Sequence, residues 1–244
     1  MARPTRRKEA VIPRTTNAHK KPTRVPLGQA VEDYLKAIYQ LSVGDQPVAT
    51  TAVASALKVS PAAVTKMLRR LGSLRLVNHS RYRGARLTTA GRRVALEIVR
   101  HHRLLELYLS QALGYPLDRV HAEAEILEHA ISEDFEESID RLLGYPQVDP
   151  HGDPIPTRSG SVPKALGAML AHAQVGEKLV VCRVSDTNVE LLRYLVSLGL
   201  VPQATLEVTE KLPFGGPVKV RVGRNATEHF IGGEAARRVF VEKL

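Results

Sequence analysis

The tetrapeptide Lys58-Val59-Ser60-Pro61 constrains the fold more than any other part of this 244-residue chain. It separates two runs of helical apolar spacing, 50–57 and 61–71. Its serine is typical of a helix N-cap, and its proline is typical of the first helical position, where a missing N–H leaves no bond unmade. Helix, tight turn and helix in this order predict a helix-turn-helix, with a further helix before it that starts near Leu27.

The residues that follow the second helix predict a β-hairpin, with strands over 74–79 and 85–87 joined at the turn 81–84. Residues 58–93 carry ten Lys or Arg and no acidic residue, within a chain of net charge +10. A basic hairpin after a helix-turn-helix predicts a winged-helix domain that binds DNA. The alternative is a small helical bundle whose basic face is merely solvated.

The N-terminal part of the second helix is expected to face base edges in the major groove. The residues placed there are Ser60, Pro61, Ala62, Thr65 and Lys66. Lys66 can reach guanine acceptors, and the small residues can approach thymine methyl groups. Phosphate contacts, which position the protein without specifying sequence, are expected from arginines. These are Arg69, Arg70, Arg81, Arg83 and Arg86.

The charge reverses sign over 100–150, which carries eleven Asp or Glu and four Arg. Helical spacing and capping signals predict three helices here. They run from the capping pair Thr88-Thr89 to Leu113, over 117–131, and from Ser132 to Gly144. Four residues of the middle helix fall on one arc of roughly 100° beside its apolar stripe. These are His121, Glu125, Glu128 and His129.

The preceding helix offers His102 and Glu106, four residues apart and therefore on one face. Two facing helices that each offer His and Glu can enclose a divalent cation without a thiol. Asp33 on the first helix can add a carboxylate. Oxygen-rich sets with imidazole suit Mn²⁺ or Fe²⁺, although Zn²⁺ and Co²⁺ also bind them. The alternative is an acidic amphipathic helix whose histidines are there by chance.

The rest of the chain indicates the domain organisation and excludes several classes of protein and of metal site. Residues 149–163 are turn-rich and structureless by pattern, which predicts a domain boundary. Beyond them, helices over 164–172 and 188–198 and strands over 178–184, 205–211, 218–222 and 239–242 predict a small β-barrel. A single cysteine, Cys182, excludes an intramolecular disulfide and a cysteine-rich metal site. Without an apolar run of about 18 residues or a secretory signal, we expect a soluble cytoplasmic protein and no membrane partner.

Together these motifs resemble the diphtheria toxin repressor and manganese transport regulator family of metal-dependent repressors. The resemblance covers 27–163 most strongly. It is carried by Glu32-Asp33-Tyr34, 60–67, His102 with Glu106, His121-x-Glu-x-Glu125-x-x-Glu128-His129-x-x-Ser132, and Gly152-Asp153-Pro154-Ile155-Pro156. It implies a mainly α fold with a small β domain, a homodimer that binds a palindromic operator in double-stranded DNA, and a metal corepressor.

With the resemblance, the expected organisation has five parts. A flexible basic tail spans 1–26, a winged-helix DNA-binding domain 27–93, and a helical metal-binding and dimerisation domain 94–148. A linker spans 149–163, and an SH3-like β-barrel of the FeoA type spans 164–244.

The resemblance also implies ligand sets and a metal. The principal site would be Asp33, Glu125, Glu128 and His129; the second would be His102, Glu106 and His121 with a barrel residue, Asp186 or else Glu190. Iron-type members carry Met and Cys at positions 33 and 125, whereas both are carboxylates here, which favours Mn²⁺ over Fe²⁺. Manganese-type members without the barrel carry Glu where this chain has Lys36, and a cation there disfavours a closely bridged two-metal centre.

Two other functions compete with a metal-dependent repressor. A metal-dependent hydrolase would use Glu128 or Glu125 as its base, but no nucleophile motif or phosphate-binding glycine loop supports it. A metal-independent winged-helix regulator would use the acidic helices for dimerisation alone. The sequence favours a repressor that controls metal-uptake genes and is not an enzyme.

Overall fold

The computed structural model describes residues 27–44, 46–80, 83–223 and 226–244. The tail expected over 1–26 and the wing residue Arg81 lie outside these ranges. The described residues form three hydrophobic cores, one in each of three consecutive parts of the chain. Within these ranges no helix is long and apolar enough to cross a membrane.

The N-terminal part is a winged helix. Its elements are α1 (Gln29–Leu41), α2 (Thr50–Leu57), α3 (Pro61–Ser73), β1 (Val77–Ser80) and β2 (Gly84–Leu87). Lys58 adopts a left-handed conformation, φ 54°, which ends α2, and the Ser60 side chain accepts a hydrogen bond from the Ala63 N–H at 3.2 Å. The turn-and-cap signals of the sequence therefore act as predicted. The apolar faces of α1 and α3 share one core, whose members include Val31, Leu35, Ile38, Val64, Leu68 and Leu71.

The first wing strand starts later than the predicted residue 74. Arg75 has a positive φ of 57°, and the Leu76 N–H donates to the Leu71 carbonyl at 2.9 Å. Residues 74–76 therefore form the turn that closes α3, and the strand begins at Val77. The two wing strands then pair antiparallel, with Val77 opposite Leu87.

The helical part contains α4 (Thr89–Leu113), α5 (Val120–Leu127) and α6 (Glu133–Leu142). Thr88 caps α4 by accepting from the Gly91 N–H at 3.1 Å, and Gly114 ends it in a left-handed conformation. The helix predicted over 117–131 is shorter than expected. Residues 117–119 and 128–131 lie outside α5, and Ser132 is extended as the N-cap of α6.

A buried ion-pair network joins α4 to α6. Arg100 Nε lies 2.6 Å from Glu136 Oε1, Arg100 Nη2 lies 2.6 Å from Asp140 Oδ2, and Arg100 Nη1 donates to the Pro156 carbonyl at 2.9 Å. His101 Nε2 lies 3.2 Å from the second oxygen of Glu136. Burial opposes ionisation of Glu136, but His101 and Arg100 lower its pKa to about 2. The network holds α4, α6 and the segment after α6 together.

The segment after α6 is ordered, although its sequence pattern predicts no structure. The Asp149 side chain accepts from the His151 N–H at 2.8 Å and from the Asp153 N–H at 3.0 Å. Gly152 has φ 93°, and a Cβ there would lie 2.0 Å from the Cys182 carbonyl oxygen, so only glycine fits. The turn-rich composition therefore builds a fixed connection that packs directly on the C-terminal part.

The C-terminal part is a six-stranded antiparallel sheet of order β3-β8-β4-β5-β6-β7. Its strands are β3 (Ala168–Met169), β4 (Lys178–Val184), β5 (Thr205–Lys211), β6 (Val218–Val222), β7 (Thr227–Ile231) and β8 (Val239–Lys243). Two helices, α7 (Val189–Ser197) and α8 (Gly233–Ala236), lie between strands. The sheet is open, with β3 and β7 at its edges, and β7 is a strand that the sequence pattern did not predict.

The helix predicted over 164–172 is wrong. Gly167 has φ 87°, and a Cβ there would lie 3.0 Å from the Val241 backbone nitrogen. The chain passes close to β8 at this glycine, pairs Ala168 with Val241, and then forms a short 3-10 helix, Leu170–His172. Close backbone approach at the glycine, which residue spacing does not reveal, overrides the helical pattern.

Candidate metal centre

Side chains from α1, α4, α5 and the residues just after α5 form two groups of potential metal ligands. We call Asp33, Glu128 and His129 cluster 1, because one ligand atom from each lies within 4.8 Å of the others. His129 Nε2 is 2.8 Å from Asp33 Oδ1 and 3.4 Å from Glu128 Oε1. Glu128 is fully buried. Cluster 1 therefore joins α1 of the winged helix to the chain at the end of α5.

Glu32 orients the histidine of cluster 1. His129 Nδ1 lies 2.7 Å from Glu32 Oε2, and the Glu32 side chain is buried. A carboxylate at one ring nitrogen fixes the tautomer and leaves the other nitrogen as a ligand. His129 Nε2 is buried and faces the carboxylates of Asp33 and Glu128, an arrangement that suits a nitrogen that binds a cation. Sequence reasoning quoted Glu32 in a motif but gave it no role.

Cluster 2 comprises His102, Glu106 and His121. Glu106 Oε1 lies 2.9 Å from His102 Nε2 and 3.1 Å from His121 Nδ1. His102 is buried and its Nδ1 faces the other way, 2.5 Å from Glu128 Oε2. The imidazole of His102 therefore lies between the two clusters, with one nitrogen towards each.

His151 belongs to this region, although sequence reasoning missed it. Glu106, His151 and Asp186 form a further ligand group that shares Glu106 with cluster 2. His151 Nδ1 and Glu106 Oε2 are buried, 3.8 Å apart, and neither forms a hydrogen bond among the described residues. The signal for His151 was its place directly before the motif Gly152–Pro156, in a turn that Asp149 closes by accepting from the His151 N–H.

The C-terminal part contributes Asp186, whose Oδ2 lies 3.5 Å from His121 Nδ1. The sequence ranked Asp186 first among the barrel ligands and Glu190 second. Glu190 is exposed in the first turn of α7 and belongs to none of the ligand groups found among the described residues. The structure therefore brings Asp186, and not Glu190, to cluster 2.

Glu125 is near the clusters but does not lie with Asp33 and His129 as the principal site requires. Its side chain is 44% exposed, and its Oε1 lies 2.6 Å from the ammonium of Lys36. Burial raises the pKa of Glu125, but Lys36 and the nearby histidines lower it overall. Glu125, Glu128 and His102 form a third ligand group around Lys36.

The electrostatics around cluster 2 favours a divalent cation. Burial disfavours the charged form of His102, yet Glu106 and Glu128 raise its pKa to about 9. Burial, together with Glu106 and Asp153, raises the pKa of Asp149 to about 8. Neighbouring buried carboxylates contribute to both shifts, and burial itself is the largest cause of the shift at Asp149. A bound cation would offset the negative charge of these carboxylates.

The chemistry of the ligand atoms indicates which metal ions the clusters can bind. Carboxylate oxygens and imidazole nitrogens, with no sulfur among the ligand groups found in the described residues, are the ligands of Mn²⁺ and Fe²⁺ and also bind Zn²⁺. Among the described residues, two buried ligand atoms near cluster 2, Glu106 Oε2 and His151 Nδ1, have no hydrogen-bond partner. The residues present therefore fit a divalent metal ion at each cluster.

The predicted DNA-reading residues that the structure describes lie at the start of α3, on its exposed face and in the wing. Ser60, Pro61, Ala62, Lys66, Arg69, Arg70, Arg83 and Arg86 are exposed, and Thr65 is partly exposed. The Thr65 hydroxyl donates to the Pro61 carbonyl at 2.9 Å. The described basic residues of α3 and the wing are therefore accessible to DNA.

Comparisons with known proteins match all three parts of the chain. Family models match three consecutive stretches: the iron dependent repressor N-terminal DNA binding domain over 26–85, the iron dependent repressor metal binding and dimerisation domain over 88–157, and the FeoA domain over 169–243. The iron-dependent repressor IdeR of Mycobacterium leprae is 31% identical over 231 residues, which cover 89% of this chain and 99% of that protein.

Two other similarities involve manganese regulators. The HTH-type transcriptional regulator MntR of Oceanobacillus iheyensis is 32% identical over 116 residues, which cover 48% of this chain and 78% of that protein. A solved manganese-dependent transcriptional repressor in complex with manganese has a TM-score of 0.79 and 38% identity, and the match covers 88% of this chain and 100% of that one. The chain therefore belongs to the diphtheria toxin repressor and manganese transport regulator family of metal-dependent, DNA-binding transcriptional repressors.

Proposed function

We propose that this chain is a Mn²⁺-responsive repressor that binds a palindromic operator as a homodimer and controls metal-uptake genes. Cluster 1 is the observation that carries the proposal, because it joins the DNA-binding domain to the metal-binding domain. Asp33 comes from α1, which shares one hydrophobic core with the reading helix α3, whereas Glu128 and His129 follow α5. Since the family consists of DNA-binding repressors, the hydrolase interpretation is dropped.

The contacts of Asp33 explain how metal binding would be coupled to DNA binding. Asp33 approaches Glu128 and His129 across the domain boundary, and burial raises the pKa of Asp33, with Glu128 and Glu125 adding to the effect. A bound divalent cation would supply the positive charge that lets these carboxylates stay close. With them held together, α1 keeps one orientation relative to α4 and α5. The fraction of dimers with both reading helices correctly spaced then increases.

Homodimerisation is supported by the matched dimerisation domain and by its surface. Several large apolar side chains of this domain are exposed on the single chain, which is typical of an interface. They are Leu113, Ile126, Phe135, Leu142 and Tyr145. Operator DNA is part of the chromosome, and we propose that the protein binds it in the cytoplasm.

Operator-binding isotherms at fixed salt test the proposal. We expect tight binding with Mn²⁺, weaker activation with Fe²⁺ or Zn²⁺ at matched free concentration, and little binding in chelator. Equal affinity in Mn²⁺ and in chelator would favour the metal-independent regulator instead. Salt must be held constant, because phosphate contacts make any protein–DNA affinity depend on it.

Replacing the two carboxylates Asp33 and Glu125 by Met and Cys should shift the metal response towards Fe²⁺. Thiolate adds affinity for Fe²⁺ and Zn²⁺ that hard oxygen donors do not supply. The measurement is the free metal concentration at half-maximal operator binding, for Fe²⁺ and for Mn²⁺, in the changed and unchanged proteins. An unchanged protein that responds to Fe²⁺ but not to saturating Mn²⁺ would contradict the assignment.

The DNA surface should contain two classes of residue. Lys66→Ala on α3 should relax sequence preference and weaken specific binding by about 1–3 kcal/mol, as for a lost guanine contact. Arg83→Ala in the wing should weaken all DNA about equally and lower the slope of log affinity against log salt by about one unit. Competition assays with operator and random DNA distinguish the two. The groove placement is wrong if Arg83 alters preference and Lys66 does not.

A further inference from the structure

A groove of about 700 Å³ runs between α3 and the wing. Arg69 and Gly72 line it on the α3 side, and β1, Arg83 and Arg86 line it on the wing side. These three arginines are exposed, and no acidic residue lines the groove among the described residues. Guanidinium groups that share a groove without a carboxylate favour an anionic occupant. The charge of the groove therefore fits phosphate groups.

Gly72 differs from the other lining residues, because the packing of the protein does not require a glycine there. It lies in the last turn of α3, where glycine forms helix much less readily than alanine. In the described part of the chain, a Cβ at Gly72 would meet only the Val77 carbonyl oxygen, at an ordinary contact distance of 3.8 Å. A Cβ at Gly84, on the wing side, would instead lie 2.4 Å from the Val48 carbonyl oxygen. The fold therefore explains Gly84 but does not explain Gly72.

The face of α3 that carries Gly72 is the face predicted to bind DNA. Thr65, Arg69 and Gly72 are spaced by four and three residues and therefore share one side of the helix. The N-terminal part of α3 is expected in the major groove of DNA, which lies between the two phosphate backbones. The backbone on the wing side of α3 would then pass between α3 and the wing, through the groove that Gly72 lines.

We propose that Gly72 is a DNA-contact position, whose missing side chain lets the sugar–phosphate backbone of one operator strand approach α3 closely. The inference rests on the proposed function, because it assumes that α3 binds in the major groove. Close approach of a ligand is one reason for a glycine inside a regular element. A side chain at position 72 would start towards the Val77 carbonyl and narrow the groove. It would hold the backbone away from Arg69 and Arg86, which line the same groove.

A side chain that favours helix at position 72 should therefore have opposite effects on the fold and on DNA binding. The test compares Gly72→Ala and Gly72→Gln with the unchanged full chain, in saturating Mn²⁺ and over a range of salt concentrations. Gly72→Ala should unfold at a temperature about 2 °C higher, and Gly72→Gln should be no less stable than the unchanged protein.

DNA binding should change in the other direction. Gly72→Gln should bind operator and random DNA about fivefold more weakly at about 0.15 M salt, because one phosphate contact is lost. The slope of log affinity against log salt should be lower by about one unit. Gly72→Ala, which adds one methyl group, should show a smaller loss of the same kind. Operator and random DNA should be affected alike, since a backbone contact does not specify sequence.

Hydroxyl-radical footprinting of each operator strand identifies the contact that is lost. The reagent attacks the sugars of the backbone, so protection reports how closely the protein covers them. Gly72→Gln should lose protection on one strand of each half-site, next to the wing. Protection of guanines in the major groove from methylation, which reports the base contacts, should stay as in the unchanged protein.

Ser197→Gln is the matched control, because Ser197 is exposed at the end of α7 in the C-terminal part, and it should bind DNA as the unchanged protein does. Unchanged affinity, salt slope and footprint in Gly72→Gln would overturn the inference and leave the proposed function intact. Loss of DNA binding together with a lower unfolding temperature would also overturn it, since the fold would then require the glycine. An unchanged chain without Mn²⁺-dependent operator binding would instead contradict the proposed function itself.

Discussion

Replacing Glu128 by Gln is expected to abolish the Mn²⁺ response of operator binding while leaving the protein folded. Glu128 is fully buried, belongs to cluster 1, and accepts from Lys36 at 2.7 and 2.9 Å. The amide has nearly the same shape and keeps one acceptor, but it lacks the charge that a cation requires. Substitution of groups that only support metal ligands lowers metal affinity by about 10–100-fold, so loss of a charged ligand should exceed about 100-fold.

The measurement is Mn²⁺ affinity by calorimetry together with operator binding over a Mn²⁺ titration. Glu123→Gln is the matched control, because Glu123 lies on α5 but belongs to none of the ligand groups in the described residues. It should bind Mn²⁺ and operator as the unchanged protein does. A normal Mn²⁺ response in Glu128→Gln would show that cluster 1 is not the regulatory site.

Replacing Arg100 by Met should cause the largest loss of stability, about 3–5 kcal/mol in the free energy of unfolding. The change leaves Glu136 and Asp140 buried without the guanidinium that lies 2.6 Å from each. It also removes the donor to the Pro156 carbonyl, which fixes the end of the segment after α6. Urea or thermal unfolding in chelator measures the effect without contribution from metal binding.

Arg158→Met provides the comparison for this network. Arg158 also lies near Glu136, at 3.6 Å, but its side chain is 43% exposed, so its loss should change stability by less than about 1 kcal/mol. Changing Arg100, Glu136 and Asp140 together to Met, Gln and Asn should recover part of the loss, because no buried charge is then unpaired. Equal destabilisation by Arg100→Met and Arg158→Met would mean that burial does not determine the effect.

Local signals predicted those parts of the fold that they control. Ser60 and Thr88 cap α3 and α4, and Gly114 ends α4, because caps act within one turn of the chain. The predicted helix over 164–172 is wrong because Gly167 lies against β8, a contact between residues far apart in sequence. No local pattern reports which strand will pass a glycine more than seventy residues away.

For the candidate metal centre too, the sequence predicted contacts within one helix but not contacts between residues far apart in the chain. Helical spacing grouped His102 with Glu106, a pair that the structure places 2.9 Å apart. It also placed His129 on α5, whereas His129 lies beyond the end of that helix, in contact with Glu32 on α1. His151 could not be found by spacing, because the fold of 149–156 brings it to Glu106. Nor could spacing show that Glu125 contacts Lys36, since that depends on how α1 and α5 both pack on α4.

The length of α4 sets a limit on how much the molecule can bend and still bind DNA. This helix has 25 residues and is therefore about 37 Å long, and its first turn adjoins the wing. A rotation of about 5° around its far end would move the wing by about 3 Å, close to the 3.4 Å rise of one base pair. Two subunits that rotate in opposite senses would then be out of phase with the DNA by nearly two base pairs. A small rotation at one end of the helix thus causes a displacement at the other end that is large enough to affect how well the two reading helices match the half-site spacing.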